Sequence, residues 1–273
     1  MTILLAAILG AIQGLTEFLP ISSSGHLVAF QVYLAPYLGM PANALAYDVL
    51  LHSATFLVTV VYLRDDILRI VRRVFRPAGE RERRFVFLGF LASVPSAIVG
   101  FLWKKEIESS FSSMSSVANE FIITALLLEI AHRYQLQRGR AAEPLSAEPL
   151  GWEFPTPFQA IVIGLSQAVA ILPAISRSGA TIAAGLLTGM EPVSTVRFSF
   201  FISVPAVFGA ILLEGKEITA LSHESPLPAV VGFLVSLVLG WLSIRAVPVL
   251  VSRLKLRWFA IYTLVLGILL HFA

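Results

Sequence analysis

The sequence predicts an all-α polytopic membrane protein with about six transmembrane helices and two re-entrant helical hairpins in an inverted repeat. Three observations support this class. The chain is 57% hydrophobic and only 14% charged, with a mean hydropathy of +0.83, whereas a soluble domain carries about 25% charged residues. Apolar runs of spanning length recur along it. One polar pattern occurs twice, 154 residues apart.

The predicted spans follow from runs of apolar residues, since a helix needs about 20 of them to cross a bilayer. The runs lie at about 43–63, 85–103, 117–135, 195–213, 228–250 and 256–273. The chain contains no cysteine, which excludes disulfides and thiolate metal sites.

The arginines predict which loops face the cytoplasm. Eight of the 20 basic residues lie between Arg64 and Arg84, and smaller basic groups lie at 133–140 and 253–257. Cytoplasmic loops of membrane proteins carry an excess of Lys and Arg. We therefore interpret these groups as cytoplasmic loops and not as a nucleic-acid surface.

Two segments cannot cross the membrane fully if the loops alternate in this way. Segment 1–42 stays on the outer side and segment 157–190 on the inner side. Both carry Pro, Ser and Gly in their middle, so we predict two re-entrant hairpins, which need protein or a wet cavity around them.

Each half of the chain then consists of one hairpin and three spans, and an odd number of spans inverts the second half. We predict a single membrane domain, 1–273, with halves at about 1–140 and 157–273. A Pro/Glu/Ala-rich linker at about 141–156 joins them.

The doubled pattern reads GAIQGLTEFLPISSSGH from Gly10 and GLSQAVAILPAISRSGA from Gly164. At the single offset of 154 it matches Gln13 with Gln167, Ser22 with Ser176, Ser24 with Ser178 and Gly25 with Gly179. Polar, Gly-interrupted segments in two halves of a membrane protein indicate a site at the repeat interface.

The first copy supplies a carboxylate, hydroxyls and an imidazole. A charge at Glu17, deep in apolar sequence, is costly unless it is paired or wetted, so we interpret Glu17 as a metal ligand or proton acceptor, the alternative being a helix-end Glu at the interface. Gln13, four residues earlier, shares its helix face. Three hydroxyls at 22–24 exceed what a helix cap requires. His26 suits proton transfer near neutral pH, although a structural role is the alternative.

The second copy supplies a cation. Arg177 is the only charged residue between Glu153 and Glu191, and a guanidinium fork matches phosphate. Helix N-termini after the two breaks would add N–H donors for the same anion. A salt bridge to Glu17 without a ligand is the alternative.

A pseudo-two-fold axis would bring the two hairpin tips together near the midplane. Glu17, Ser23, His26 and Arg177 would then supply the groups that phosphoryl transfer needs. Asp48 and His52, four residues apart on the first span, are weaker candidates. They either line the same cavity or have no part in the site.

At these residues the chain resembles the undecaprenyl-diphosphate phosphatase family, which is also known for bacitracin resistance. The similarity covers nearly the whole length. It is carried by the stretches QGLTEFLPISSSGH, YDVLLHSAT, SVPSAIVG, LPAISRSGATI and RFSFFISVP, of which the first and fourth are the most specific.

The resemblance implies a multi-pass hydrolase of the cell membrane that removes the terminal phosphate of undecaprenyl diphosphate. This recycles the lipid carrier for peptidoglycan synthesis. It also implies an active site open to the outer side and a divalent cation, Mg²⁺ or Ca²⁺, held through oxygen ligands of Glu17 and Gln13. The expected partners are the polyprenyl diphosphate and the membrane, with no nucleic acid, and a homodimer is allowed.

Within this reading, Ser23 is the expected nucleophile, His26 its base and then acid, and Arg177 the phosphate clamp. A metal-activated water is the competing mechanism. The residues expected to bind substrate are Ser22, Ser24, Ser176, Ser178 and Thr181.

Two departures from the family pattern bear on these expectations. Gln13 replaces the first glutamate of many members, which weakens a two-carboxylate metal site. Ala174 follows Pro173 where the family usually has glycine, so a positive φ there would strain it. The rival function is a transporter or lipid flippase of the same architecture, which needs Arg177 but has no evident need for His26 beside serines.

Overall fold

The computed structural model describes residues 1–33, 44–110, 113–138, 153–213, 218, 226–253 and 255–273. Within these ranges the chain forms twelve α-helices and no strand, which confirms the all-α class. The helices are α1 (Ile3–Thr16), α2 (Ser23–Tyr33), α3 (Ala44–Tyr62), α4 (Arg64–Arg73), α5 (Glu80–Leu102), α6 (Lys104–Ser110), α7 (Met114–Arg138), α8 (Pro157–Val169), α9 (Arg177–Leu187), α10 (Pro192–Leu213), α11 (Pro226–Ser252) and α12 (Leu256–Phe272).

The multi-pass class is confirmed by the length and apolarity of the helices. Among the described residues, α5, α7, α10 and α11 can each cross a membrane, and α3 with α4 forms a fifth, bent pair. The sixth predicted span is α12, which is apolar but 17 residues long, at the short end of the spanning range of about 17–25 residues. Most of the predicted linker at 141–156, together with Arg140, lies outside the described residues.

Both doubled segments fold as two short helices separated by a break. α1 and α8 begin 154 residues apart, and so do α2 and α9. With 14 and 13 residues, α1 and α8 are each roughly 20 Å long, too short to cross a hydrocarbon core of about 30 Å. Each therefore ends inside the protein.

Local sequence fixes where these short helices begin. The Thr2 hydroxyl caps α1 by accepting from the N–H of Leu5 at 3.2 Å. α8 begins with a capping box, in which Thr156 and Gln159 each accept from the other's backbone N–H, and with proline in its first position. These caps satisfy N–H groups that have no partner within the helix.

The packing of the two halves follows the repeat. α1 packs along α11, and α8 packs along α5. The matched glycines Gly10 and Gly164 lie at these two crossings, where they face the backbones of Gly232 and Ala92. A Cβ atom at Gly164 would stand 2.5 Å from the carbonyl oxygen of Ala92, so glycine is required for this approach.

The first break is anchored in the largest core cluster. Phe18, immediately after Glu17, is buried and packs edge-on against Phe200 of α10 with ring centroids 5.5 Å apart. The cluster also draws apolar side chains from α3, α7, α9, α11 and α12. The break that carries Glu17 is therefore held rigidly among the spans.

Candidate active site

The two helix breaks meet, as the repeat predicts. Ser22 Oγ of the first break donates to the carbonyl oxygen of Pro173 in the second at 2.9 Å. Ser178 Oγ donates back to the carbonyl oxygen of Leu19 at 3.0 Å. Leu19 and Pro173 are themselves 154 residues apart. In each break, therefore, the carbonyl at the same repeat position accepts a hydrogen bond from a serine of the other break.

Glu17 lies at the centre of this junction. Its carboxylate is buried and accepts hydrogen bonds from Ser23 Oγ at 2.6 Å and Gln13 Nε2 at 3.0 Å, both to Oε2. Its other oxygen, Oε1, accepts from Arg177 Nη2 of the second break. The structure thus joins the predicted carboxylate, hydroxyl and guanidinium in one cluster, and it contains the salt bridge that we considered as the alternative role of Arg177.

The residue before Ser23 has a strained backbone conformation. Ser22 has φ = +67°, the one positive φ at a non-glycine residue in the described part of the chain, whereas its repeat partner Ser176 has φ = −63°. Non-glycine residues are held in this region at a cost of order 1–3 kcal/mol and concentrate at functional sites. The two breaks therefore differ in backbone at the matched serines.

His26 does not join the cluster. Its Nδ1 lies in hydrogen-bond contact with the carbonyl oxygen of Ser22, and its Nε2 is 2.7 Å from the hydroxyl of Tyr262. The ring stacks on Tyr262 and contacts Phe121 edge-on. Since both nitrogens are engaged away from Ser23, the structure does not support His26 as its base.

The imidazole at the carboxylate belongs to His52 of α3. Its Nε2 lies 3.6 Å from Glu17 Oε2, and its Nδ1 is 2.8 Å from the carbonyl oxygen of Asp48. A proton on Nδ1 would be held by that carbonyl, leaving Nε2 free to accept one. Asp48 itself is bound through both carboxylate oxygens by Gln31 and does not line the cavity.

These groups line a cavity of about 310 Å³. The N-termini of α2 and α9 both face it, through Ser22, Ser23 and Ser24 on one side and Ser176, Arg177 and Ser178 on the other. The first-turn N–H groups of a helix have no intrahelical partner and favour anions. The opposite wall is apolar and comes from α3, α10 and the second break, with Val49, Ala206, Val207, Ala210 and Ile171 among its residues.

Thr181 is a correction to the predicted binding set. It is fully buried and is absent from the cavity lining. Its hydroxyl contacts Ser199 Oγ of α10 at 2.6 Å and donates to the carbonyl oxygen of Arg177 at 2.8 Å. Thr181 therefore fixes α9 against α10. Ser176 lines the cavity but also caps α9, accepting from the N–H of Gly179 at 3.0 Å.

Comparison with known proteins identifies the family of this chain. A family model described as "Bacitracin resistance protein BacA" matches residues 6–269. The chain belongs to this family.

Curated relatives carry one name. The chain is 39% identical to an "Undecaprenyl-diphosphatase" of Rubrobacter xylanophilus, over 98% of this chain and 96% of that protein. It is 36% identical to one of Carboxydothermus hydrogenoformans, over 96% and 94%. It is 40% identical to one of Moorella thermoacetica, over 90% and 87%. The resemblance seen in the motifs is thereby confirmed.

Ala174, which stands where the family usually has glycine, has no backbone strain. Its φ is not positive, so the expected penalty is absent. Its N–H donates to Glu120 Oε2 at 2.7 Å, and its carbonyl accepts from Thr124 Oγ1 at 3.1 Å. Glu120 and Thr124, on α7, thus hold the second break, a role we did not predict. The sequence feature that could have indicated this role is a carboxylate inside the apolar run 117–135, since a charged residue in such a run usually has a partner or a function.

Gln13 provides the observation that tests a cation site. Its Nε2 donates to Glu17 and, at 3.3 Å, to Thr55 Oγ1, while its Oε1 is buried without a hydrogen-bond partner. The described residues contain no group of three or more His, Asp or Glu that could hold a metal by themselves. Gln13 itself does not line the cavity. Its orphaned amide oxygen, the Glu17 carboxylate and the serine hydroxyls are nonetheless oxygen ligands of the kind that suits a hard cation such as Mg²⁺, which keeps waters and shares a phosphate ligand.

Proposed function

We propose that this chain is a membrane phosphatase that removes the terminal phosphate of undecaprenyl diphosphate and so returns the lipid carrier to peptidoglycan synthesis. The observation that carries the proposal is the cluster of Ser23, Glu17 and Arg177 in the cavity. The hydroxyl of Ser23, a nucleophile, is hydrogen-bonded to Glu17, a base, and Glu17 is paired with the guanidinium of Arg177, which can bind phosphate. The names of the curated relatives and their coverage of the chain support the substrate.

The phosphate groups are bound by charge and by backbone. Arg177 offers a bidentate fork to the terminal phosphate, and the first-turn N–H groups of α2 and α9 surround it. The apolar wall on α10 accepts the first isoprene units, because it is built from Ala206, Val207 and Ala210. A charged end and an apolar wall suit a lipid diphosphate.

Transfer begins at Ser23. Its oxygen forms a bond to the terminal phosphorus, its proton passes to Glu17, and the bond from that phosphorus to the bridging oxygen breaks. Undecaprenyl phosphate leaves with the bridging oxygen. Water then attacks the phosphoserine and its proton passes to His52. The bond from phosphorus to the Ser23 oxygen breaks, and Glu17 returns its proton to that oxygen, which releases inorganic phosphate and restores the Ser23 hydroxyl.

Direct attack by water is the competing route. In that case Ser23 donates a hydrogen bond to the substrate, and Glu17 with His52 accepts the proton of water. Trapping a phosphorylated Ser23 distinguishes the two, since only the serine route forms it.

A divalent cation, Mg²⁺ or Ca²⁺, completes the proposal. Glu17 and the free amide oxygen of Gln13 would hold it, and it would neutralise charge on the diphosphate. Arg177 would then turn from Glu17 toward the phosphate.

The cavity is proposed to open to the outer side of the cell membrane. His52 lies ten residues before Tyr62, where α3 meets the arginine-rich segment, or roughly 15 Å along the helix. Since that basic end is expected inside, about half of the roughly 30 Å hydrocarbon core lies between the cavity and the cytoplasm, and only eight residues of α3 lie on the outer side of His52.

Phosphate release from a long-chain isoprenyl diphosphate in detergent tests the activity. The wild type should release phosphate, EDTA should stop it, and Arg177→Ala should abolish it. Arg245→Ala is the matched control, because Arg245 is an exposed arginine of α11 remote from the cavity lining. No release by wild type, or equal release by Arg177→Ala, would defeat the proposal and favour the transporter or flippase. In that function the hydrogen bond between Ser23 and Glu17 has no role.

A further inference from the structure

α4 is set apart from the spans by its direction. The chain bends by 66° between α3 and α4, so α4 does not continue through the bilayer. It packs on α3 and α5, and its inner face is anchored by Ile67 and Ile70, which pack against two core clusters. A ten-residue helix at a sharp angle to the preceding span is too short to cross the bilayer itself.

One outer flank of α4 and the residues after it is apolar. Leu68 and Val71 share a face of α4, and Phe75 lies in the turn two residues after the helix ends. These three side chains are 45%, 66% and 94% exposed. We call this the apolar stripe. Exposure of this size at a membrane boundary fits contact with acyl chains, because burying Val and Phe there removes apolar surface from water.

The neighbouring flank is cationic. Arg69, Arg72 and Arg73 lie on α4 and are three or four residues apart or adjacent, and Arg76 follows three residues after the helix ends. We call these four arginines the basic stripe. Arg69 is paired with Glu82 at 2.7 Å, whereas the side chain of Arg72 makes no ion pair or hydrogen bond with the described residues. Between Arg64 and Arg84 the chain has eight arginines against four acids.

A shallow groove joins the two stripes. It has a volume of about 290 Å³ and is lined by Asp65, Leu68, Arg69, Arg72 and Arg73. Asp65 is paired with Arg64 at 3.7 Å, and the three lining arginines outnumber this one carboxylate. The groove therefore offers guanidinium groups next to an apolar side chain.

We propose that α4 lies flat in the membrane–water interface and binds the phosphate headgroup of an anionic phospholipid in this groove. The apolar stripe enters the acyl-chain boundary, and the basic stripe lies at the headgroups. Charge complementarity selects this occupant, since two copies of α4 brought together would oppose their arginines. The site is independent of the proposed hydrolysis and is separate from the cavity at Glu17.

Retention of phosphatidylglycerol tests the basic stripe. Purified protein is washed in detergent with equal phosphatidylglycerol and phosphatidylcholine, and bound lipid is counted by native mass spectrometry. The double variant Arg72→Gln with Arg73→Gln should weaken phosphatidylglycerol binding about 30-fold. Each basic residue near an anionic surface strengthens binding by a factor of about five to six, and two are removed. Phosphatidylcholine binding should not change.

The matched control removes two charges elsewhere. Arg253→Gln with Lys255→Gln takes the same charge from exposed residues outside the groove, and should keep the lipid. Equal loss in both double variants, no loss in the first, or displacement of the lipid by inorganic phosphate would each overturn the site.

Fluorescence quenching tests the apolar stripe separately. The chain has no cysteine, so Val71→Cys and Ala78→Cys each accept a single fluorophore, both at exposed positions. In nanodiscs, the label at 71 should be quenched by nitroxide-bearing lipid and the label at 78 by aqueous iodide. Iodide quenching of position 71 as strong as that of position 78 would place α4 in water and defeat the proposal.

Discussion

The Ser23 hydroxyl donates a 2.6 Å hydrogen bond to the Glu17 carboxylate, whose other oxygen accepts from Arg177. One carboxylate thus holds both the proposed nucleophile and the proposed phosphate clamp. When Arg177 turns to the substrate, Glu17 can keep its hydrogen bond from Ser23. Substrate binding would therefore leave the base in place to activate Ser23.

Ser23→Ala should lower kcat by roughly 10³-fold or more, because it removes the attacking oxygen while leaving Arg177 and Glu17 in place. Phosphate release by purified protein measures the loss. Ser53→Ala is the control, since it makes the same truncation on α3, where the hydroxyl donates to the carbonyl of Leu50. Full activity in Ser23→Ala would exclude the serine route and favour direct attack by water.

The 154-residue offset predicted the meeting of the breaks, because the same backbone pattern makes the same short helices in each half. It also placed Ser23 opposite Arg177. It could not predict the imidazole. Ser22, which immediately precedes Ser23, has a positive φ, and no sequence pattern encodes a left-handed serine. The ring of His26 packs against α7 and α12.

The remaining unpredicted contacts are long-range. His52 reaches Glu17 from a helix 35 residues further along the chain, and the spacing of Asp48 and His52 showed only that they share a helix face. Thr181 belongs to a motif that the resemblance assigns to substrate, yet its hydroxyl is used against Ser199. Packing between helices decides such cases.

Replacing His52 and replacing His26 should affect kcat and Tm differently. His52→Gln should lower kcat about 10²- to 10⁴-fold, the usual range for losing an acid–base group, with little change in Tm. His26→Ala should lower Tm together with activity, because it removes packing against Tyr262 and Phe121 and the hydrogen bond to the strained Ser22.

Thermal unfolding in detergent and initial rates, measured on the same preparations, compare the two variants. Tyr262→Phe serves as the milder partner of His26→Ala, since it keeps the stacked ring and removes the hydroxyl. A Tm unchanged in His26→Ala with activity lost would return His26 to a direct chemical role.

Gln13→Glu should lower the Mg²⁺ concentration needed for half-maximal activity, because it turns an orphaned amide oxygen into a second carboxylate beside Glu17. Titrating MgCl₂ into EDTA-treated protein measures the shift. Gln167→Glu is the matched control, since Gln167 is the repeat partner, has an orphaned Oε1 too and bonds Ser96 outside the cavity. An equal shift in both variants would show a general charge effect and remove Gln13 from the cation site.

Gly164→Ala should destabilise the protein by about 1–3 kcal/mol, the usual range for overpacking. The added Cβ would stand 2.5 Å from the carbonyl oxygen of Ala92 and 2.9 Å from its Cα, so α8 must move away from α5. Gly209→Ala, in the interior of α10, is the control, because its Cβ meets nothing within 4 Å and alanine favours the helix. Thermal unfolding in detergent should show a lower Tm for Gly164→Ala and an equal or higher one for Gly209→Ala. Equal destabilisation at both positions would mean that helix propensity, and not the close crossing of α8 and α5, sets the requirement for glycine.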